Sequence, residues 1–305
     1  MSPRRVAFGS LLVLLAVGSP LASQSTPEPP GFSVAMSRLE LGLELDFEDG
    51  SLDGWVRLTL SNLGESAVRE VPLNVGRLMT VHSAAEIGGD GSAAMLDFTQ
   101  DVSVFTDSPK RQVNHLVVSL DRPLEPGATV VVRLDYGGYL VGYTETGSLY
   151  IQDRVDEAFS ILREDAFAWP TLGTLSRRAN RIAPRPDFDF TASVTVPDGY
   201  TVASGGRLVE RSEENGRTTF RYEGVGPVPF LNLPVARYAL LEDGGVRVFH
   251  FPDDSVGAQR ILESATRGLE LLEDWFGPLT MEPELSVMEI PEMWGSQASL
   301  TAGII

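Results

Sequence analysis

The chain has 305 residues, of which 43% are hydrophobic and 22% are charged, so it is long enough for two domains and apolar enough for a sizeable core. Its formal net charge is −18, and a surface this acidic disfavours nucleic acids and anionic lipids as partners. Because these residues include no cysteine, they form no disulfide bond and no thiolate metal site.

Residues 1–23 have the pattern of a secretory signal peptide. Two arginines precede a short apolar run over residues 6–17, and small residues follow at the predicted cleavage site. The run is short for a membrane span, although an uncleaved anchor is an alternative. Residues 24–32 are rich in proline and predict a flexible spacer. We therefore expect a secreted or periplasmic protein beginning near Gln24, with no membrane contact beyond the signal peptide.

Residues 33–242 have hydrophobic side chains at every second position, which is typical of half-buried β-strands. The clearest examples are residues 39–47 and 55–60, which are separated by a turn at residues 48–50. Further strands are predicted at residues 115–120, 129–136, 188–196, 218–224 and 235–241. No helix is predicted in this part. Many short strands separated by glycine-containing turns favour a β-sandwich of two sheets.

Residues 148–181 interrupt this pattern. The stretch is irregular and aromatic, and it contains a cluster of arginines at Arg177, Arg178 and Arg181. A long connection inside a compact domain often lines a cleft. The alternative is a surface excursion that covers a sheet edge, and the sequence leaves both interpretations open.

Residues 243–305 change to an α+β order. A strand at residues 246–251 precedes N-cap candidates at residues 253–255, which begin a helix that runs to about Trp275. One apolar stripe of this helix is predicted to face a core, and it consists of Ile261, Ala265, Leu269, Leu272 and Phe276. A strand at residues 284–290 and a second apolar strand beginning at Leu300 follow.

These elements predict an incomplete domain. A helix with an apolar stripe and three strands need a partner layer to cover them. The last strand is so apolar that it would otherwise leave an adhesive sheet edge. We therefore expect the chain to be a fragment of a longer protein.

The sequence lacks a self-sufficient catalytic motif. Its three histidines, His82, His115 and His250, are far apart, whereas an H-E-x-x-H zinc site needs two histidines one helical turn apart. It also has no G-x-S-x-G nucleophile elbow and no glycine-rich phosphate loop. We therefore expect this chain to bind no zinc and to be inactive by itself.

Several segments nevertheless occur in a familiar order. They are PLEPGATVVVRLDYGGYL at 123–140, FAWPTLGTL at 167–175, DFTASVTVPDGYTVASGGRL at 189–208, LEDWFGPLT at 272–280 and ELSVMEIPEMWGSQAS at 284–299. This collinear series resembles the aminopeptidase N family of gluzincin zinc metallopeptidases. Trp169-Pro170 matches the Phe-Pro of the family's F-P-C-x-D-E-P segment, and residues 284–299 lie where the family has its G-[AG]-M-E-N strand.

The resemblance implies a fold and a cofactor. The fold is mainly β, with an N-terminal β-sandwich of two sheets and a saddle-like shape at residues 33–242. Residues 243–305 are then the first α+β elements of a thermolysin-like catalytic domain. The parent protein is expected to hydrolyse peptides with zinc, and the zinc ligands of the family would lie beyond Ile305.

The resemblance also implies a substrate wall at residues 294–299. Its candidate residues are Trp294, Gly295, Ser296, Gln297 and Ala298. Ala298 falls on the family's glutamate that holds the free ammonium of the substrate, and a methyl group cannot replace that contact. The sequence therefore leaves open whether the parent is an exopeptidase. Trp294 is either the floor of a hydrophobic subsite or a packing residue, and Gly295 permits close backbone approach or is a plain turn glycine.

Two alternatives remain at the level of the sequence. The chain is a fragment of a peptidase whose partner is a peptide substrate, or a non-catalytic interaction module descended from that family. An unrelated sandwich of a carbohydrate-binding or adhesin type leaves the helix and strands after Gly245 unexplained. The sequence assigns no oligomeric state.

Overall fold

The architecture comes from a computed structural model, which describes residues 33–140, 154–278, 285–292, 298–299 and 301–305. The predicted signal peptide and spacer, residues 1–32, lie outside these ranges. Within them the protein is mainly β, as the sequence predicts.

A large first sheet forms the outer layer of the N-terminal part. Its order within the described ranges is β13-β14-β11-β1-β2-β8-β4-β5. The strands are β1 (Val34–Asp46), β2 (Ser51–Asn62), β4 (Met79–Ile87), β5 (Ala93–Met95), β8 (Thr129–Tyr139), β11 (Asp189–Pro197), β13 (Arg207–Glu214) and β14 (Arg217–Glu223). β1 pairs antiparallel with β2 and parallel with β11. Along β1 the leucines at every second position are buried and the residues between them point outward, as the period-two pattern predicts.

A second sheet covers the inner face of the first. Its order in the described part of the chain is β10-β3-β7-β6. The strands are β3 (Val68–Val75), β6 (Phe98–Phe105), β7 (Ser108–Leu124) and β10 (Thr171–Leu172). One buried cluster joins the two sheets, since it contains Leu41 and Val56 from the first and Leu73 and Leu116 from the second. Each of these side chains contributes about 1.5–3 kcal/mol by leaving water. The predicted β-sandwich is therefore confirmed.

A small third sheet lies beside the sandwich. It consists, among the described residues, of β12 (Thr201–Val202), β15 (Asn232–Ala236) and β9 (Ser160–Arg163). All nine residues of β9 and β15 are buried. This sheet positions the irregular stretch that follows β9.

The fourth sheet contains the C-terminal elements. Its order in the described ranges is β16-β17-β18-β20-β19. The strands are β16 (Ala239–Asp243), β17 (Val246–His250), β18 (Leu285–Met288), β19 (Ala298–Ser299) and β20 (Gly303–Ile304). The predicted domain boundary at 242/243 falls inside β16, which pairs with β17 after it.

The fourth sheet is bonded to the sandwich side of the molecule. Arg247 of β17 donates from Nη2 to the carbonyl oxygen of Gly206 and to Ser286 Oγ, both at 2.8 Å. Tyr238 Oη donates to the carbonyl oxygen of Glu289 at 2.6 Å. Apolar residues of the third and fourth sheets also share one buried cluster, which includes Ile161 and Met288.

The long helix near the C-terminus confirms the predicted bounds but not the whole predicted stripe. α2, numbered after the short α1 described below, spans Ser255–Phe276, and Asp254 Oδ1 accepts from the Gly257 N–H at 3.1 Å. The residues that pack toward the fourth sheet are Ala258, Leu262, Ala265 and Leu269. The exposed members of the predicted stripe are Ile261, Leu272 and Phe276, with 47%, 47% and 81% of their surface accessible. The buried stripe of the helix therefore lies between positions 258 and 269.

Three further expectations need correction. A short helix, α1 (Arg177–Ile182), occurs in a region for which no helix was predicted. The strand predicted at residues 235–241 is divided between β15 and β16. The strand predicted to begin at Leu300 begins at Gly303, because residues 301–302 form a turn between β19 and β20.

Candidate functional site

The predicted substrate wall is described only at its C-terminal end. Trp294, Gly295, Ser296 and Gln297 lie outside the described residues. Ala298 is exposed in β19, where it pairs antiparallel with Ile304. β19 is the outermost strand of the fourth sheet among the described residues, and none of the described strands pairs with its outer edge.

This edge is fixed by close backbone contact with the sandwich. Thr301 Oγ1 donates to the carbonyl oxygen of Pro227 at 3.0 Å. Gly205 lies so close to the backbone of Ala302 that a Cβ at position 205 would overlap it. Gly303 has a φ of +84°, which favours glycine at the start of β20. The turn between β19 and β20 therefore contacts the segment that contains Pro227.

The same segment continues into a cleft of about 390 Å³. Its walls are a 3₁₀ turn (Glu164–Ala166), helix α1 and residues 229–232. The described part of residues 148–181 fits both interpretations of this stretch, a connection that lines a cleft and an excursion that covers a sheet edge. β10 pairs with β3 at the edge of the second sheet, and the turn and α1 line the cleft. Residues 148–153 lie outside the described ranges.

The floor of the cleft contains a residue in a rare backbone conformation. Phe167 follows the 3₁₀ turn with φ 58° and ψ 40°, a left-handed conformation that costs about 1–3 kcal/mol for a bulky residue. Two main-chain hydrogen bonds hold it, from Phe167 N–H to Glu164 O and from Gly76 N–H to Phe167 O, each 2.9 Å. The Phe167 ring stacks on Phe105 with ring centroids 6.2 Å apart. Strain of this kind is concentrated at functional sites.

A buried arginine fixes one carboxylate of the cleft. The Arg163 side chain is 2% exposed, and its Nε lies 3.0 Å from Asp165 Oδ1. Arg163 Nη2 also donates to Asp165 Oδ2 at 3.2 Å. This two-point contact restricts the orientation of Asp165, whose carboxylate lines the cleft while its charge is balanced by Arg163.

The second carboxyl group of the cleft is largely desolvated. The Glu164 side chain is 18% exposed, and Arg185 Nη1 lies 3.8 Å from its Oε1. Burial raises the pKa of Glu164 above its ordinary value of 4.5, the Arg185 cation opposes that shift, and the Asp165 anion adds to it. Glu164 therefore holds its proton more tightly than an exposed glutamate does.

Basic side chains form the opposite rim, around α1. Asp107 binds the beginning of this helix by accepting from the N–H groups of Arg177 and Arg178, at 3.0 and 2.6 Å. The N–H of Arg178 is the main reason that the pKa of Asp107 lies below its ordinary value. Arg181 lies one helical turn after Arg177, and both line the cleft together with Arg185. The predicted arginine cluster is thus placed at a concave surface.

Trp169 of the FAWPTLGTL segment belongs to the core. It is fully buried, and the neighbouring Ala168 O accepts a hydrogen bond from Tyr136 Oη at 3.1 Å. Its role is therefore packing beneath the cleft. The sequence analysis did not identify Glu164 and Asp165 as site residues, because a charged pair before an aromatic run carries no motif.

The described residues do not fit a zinc site. In these ranges no group of three or more His, Asp or Glu side chains could hold a metal ion. His115 Nδ1 lies 2.8 Å from Asn74 Oδ1, and His250 Nδ1 lies 2.8 Å from the Phe251 carbonyl oxygen. Two of the three histidines are thus engaged in local hydrogen bonds at separate places in the fold.

The described helices include none that is long and apolar enough to cross a membrane.

Solved structures with a similar fold are M1 zinc metallopeptidases. One is a mutant from Deinococcus radiodurans bound to a Tyr-Ser-Ala substrate, with 22% sequence identity and a TM-score of 0.59; the match covers 87% of this chain and 58% of that chain. Another is a two-domain M1 zinc metallopeptidase mutant bound to L-arginine, with 23% identity and a TM-score of 0.61, covering 84% of this chain and 56% of that chain. No family model and no curated protein sequence matches the chain.

At this identity the similarity shows the fold alone. The chain spans 56 to 58% of the length of these metallopeptidases. Their shared architecture agrees with the predicted β-sandwich followed by α+β elements, and it includes most of this chain. Activity, substrate and metal are therefore treated as proposals below.

Proposed function

We propose that the chain is the N-terminal part of a secreted or periplasmic zinc-dependent metallopeptidase similar to aminopeptidase N. In this proposal residues 294–299 form one wall of the substrate cleft, and the 305-residue chain alone hydrolyses no peptide. The observation that carries the proposal is the fold similarity to M1 zinc metallopeptidases over 84 to 87% of the chain.

The partner in this proposal is an extended peptide. The outer edge of β19 supports it, since the N–H and C=O groups of an edge strand can pair with an added strand. The cleft with Phe167 in its floor continues from the same backbone segment that contacts the turn after β19. At Ala298 a peptide's N-terminal ammonium would meet a methyl group, so this position supplies no exopeptidase specificity.

Zinc in such an enzyme polarises the carbonyl of the peptide bond that is cleaved. The described residues do not fit its ligand set, and in this proposal the ligands lie beyond Ile305. The part of this chain is to orient the catalytic domain and to position the peptide.

The test begins with the reading frame. An in-frame H-E-x-x-H codon series after residue 305, followed by a downstream glutamate, supports the peptidase. A stop codon, or a helix without the two histidines, overturns it. Where the motif is present, the longer protein is expected to cleave a fluorogenic peptide in the presence of zinc and to lose that activity with a chelator, whereas residues 1–305 show none.

The second candidate is a non-catalytic interaction module descended from the same fold. Two departures from the family's motifs favour it: Ala298 at the position of the ammonium-binding glutamate, and TLG after Trp169-Pro170 in place of C-x-D-E-P. A longer protein that binds peptides but leaves every peptide bond intact would support this module.

A further inference from the structure

We propose that the cleft selects acidic peptides, and that Arg181 and Arg185 bind the carboxylate of a glutamate or aspartate side chain in the peptide. This inference deepens the proposed function and rests on it, because it takes the cleft to be a place where a peptide lies. It adds the chemical class of the partner and the residues that recognise it.

The first argument is the balance of charge inside the cleft. Asp165 is 45% exposed but paired with the buried Arg163, and Glu164 is 18% exposed beside Arg185. Three arginines, Arg177, Arg181 and Arg185, line the cleft against these two carboxyl groups. Arg181, in contrast, is exposed and its side chain forms no ion pair with a residue of the described ranges. The accessible charge of the cleft is therefore positive.

The second argument is the position of Asp107. This is an acidic residue near the arginines of α1, but its oxygens accept from two main-chain N–H groups and from Ser176 Oγ at 3.2 Å. Those bonds hold Asp107 at the beginning of the helix, whereas Arg181 lies in the last turn. Asp107 therefore caps the backbone of the helix and forms no ion pair with the Arg181 side chain among the described contacts. Arg181 is left to bind another anion.

The rim of the cleft is positively charged, whereas the whole protein is strongly acidic. A molecule with a formal net charge of −18 repels anions at long range, so a positive rim is effective only at short distance. Guanidinium groups bind carboxylates by two parallel hydrogen bonds and keep their charge at all physiological pH values. The apolar floor of Phe105 and Phe167 beside this rim suits the stem of an amino-acid side chain.

The test uses the full 305-residue chain and two labelled peptides, Ala-Ala-Glu-Glu-Ala-Ala and its neutral counterpart Ala-Ala-Gln-Gln-Ala-Ala. In fluorescence anisotropy we expect the acidic peptide to bind about tenfold more tightly at low salt, because a charge-assisted hydrogen bond exceeds a neutral one. The difference is expected to shrink at about 0.5 M salt, where the screening length falls to a few ångströms.

Variants connect this preference to the cleft. Arg181→Gln is expected to remove most of the preference for the acidic peptide over the neutral one, and Arg185→Gln is expected to reduce it. Arg122→Gln is the matched control, because this substitution removes the same charge. Arg122 is 86% exposed and lies on β7, outside the lining of the cleft. Circular dichroism checks that every variant is folded.

The outcomes separate the inference from the proposed function. Equal affinity for both peptides, or an equal loss in Arg122→Gln, overturns the acidic preference and leaves peptide binding intact. Absence of binding to either peptide overturns both the inference and the peptide-binding role of this cleft. Tighter binding of inorganic phosphate than of the acidic peptide, measured by competition, also overturns the inference, since the site would then recognise a phosphate group.

Discussion

Two neighbouring acidic residues show how one short segment creates different chemical environments. Asp165 is balanced by a fully buried arginine, whereas Glu164 is turned toward the protein interior with one distant cation at 3.8 Å. Both environments depend on the 3₁₀ turn and on the left-handed Phe167, which reverses the chain between the two sheets. The residues are adjacent in sequence, but their electrostatics come from partners elsewhere in the fold.

Glu164→Gln should remove a pH-dependent cost in stability. Because the folded protein raises the pKa of Glu164, it holds the proton more tightly than the unfolded chain. The free energy of unfolding therefore falls as pH rises from about 4.5 through the raised folded pKa, and the lower value persists above it. We expect Glu164→Gln to be at least as stable as the unchanged protein at neutral pH. Its free energy of unfolding should lack this decrease with rising pH.

Urea unfolding at a series of pH values measures the effect. Glu125→Gln is the control, because it makes the same substitution at an exposed position. If the two variants shift the pH profile equally, the interpretation of Glu164 is wrong.

Trp169 and Trp275 test the assignment of core and surface at single residues. Trp169→Ala should lower the free energy of unfolding by about 3–5 kcal/mol, since it leaves a large cavity between the sheets. Trp275→Ala should change it by less than about 1 kcal/mol, because 67% of Trp275 is exposed near the end of α2. Urea unfolding of the two variants measures both values, and comparable losses would contradict the placement of Trp169.

At the scale of elements, the clearest strands were predicted because one of their faces is solvated. β1 and β2 alternate apolar and polar residues, and their registers follow that alternation. β3 was missed although Val71, Leu73 and Val75 alternate in the sequence, because the proline at position 72 argues against a strand. α1 was missed because six residues are too few for helical periodicity.

The helix α2 shows the same distinction at its two ends. Its beginning was predicted from local chemistry, an aspartate that can cap the first turn. The face it buries was only partly predicted, because the fourth sheet contacts residues 258 to 269 and leaves Leu272 and Phe276 exposed. Apolar spacing indicates a buried face but not how far along the helix its partner extends.

Asp254→Ala should destabilise α2 locally. The Asp254 carboxylate satisfies the Gly257 N–H, and removal of such a cap costs about 1 kcal/mol. We expect faster amide hydrogen exchange at residues 256–258. Asp253→Ala is the matched control, since the side chain of Asp253 makes no hydrogen bond with a residue of the described ranges. An equal effect of both substitutions would exclude capping as the cause.

At the scale of the whole molecule, the third sheet connects the sandwich to the C-terminal elements. Tyr238 and Arg247 form hydrogen bonds across this connection, and the shared cluster around Ile161 and Met288 excludes water from it. Thr301, which follows β19, is bonded to Pro227, and residues 229–232 line the cleft, so one backbone segment contacts both regions.

Zinc content tests the proposal that these 305 residues do not supply the zinc ligands. The full 305-residue chain, incubated with zinc and passed through a desalting column, should retain far less than one zinc ion per molecule. The physical reason is that the three histidines lie at sequence positions 82, 115 and 250, and two of them are engaged in separate hydrogen bonds. Stoichiometric zinc in elemental analysis would contradict the prediction, and a chelator-treated sample is its control.

By itself the sequence determined the mainly β fold, the turns at its glycines, the bounds of α2 and the lack of a zinc-binding motif. These features are encoded locally, in alternation, capping and turn residues. The tertiary structure alone decided that Glu164 is desolvated, that Trp169 is core and that the arginines of α1 face a cleft. The reason is that burial and charge balance depend on residues brought together from distant strands, and no local pattern records those partners.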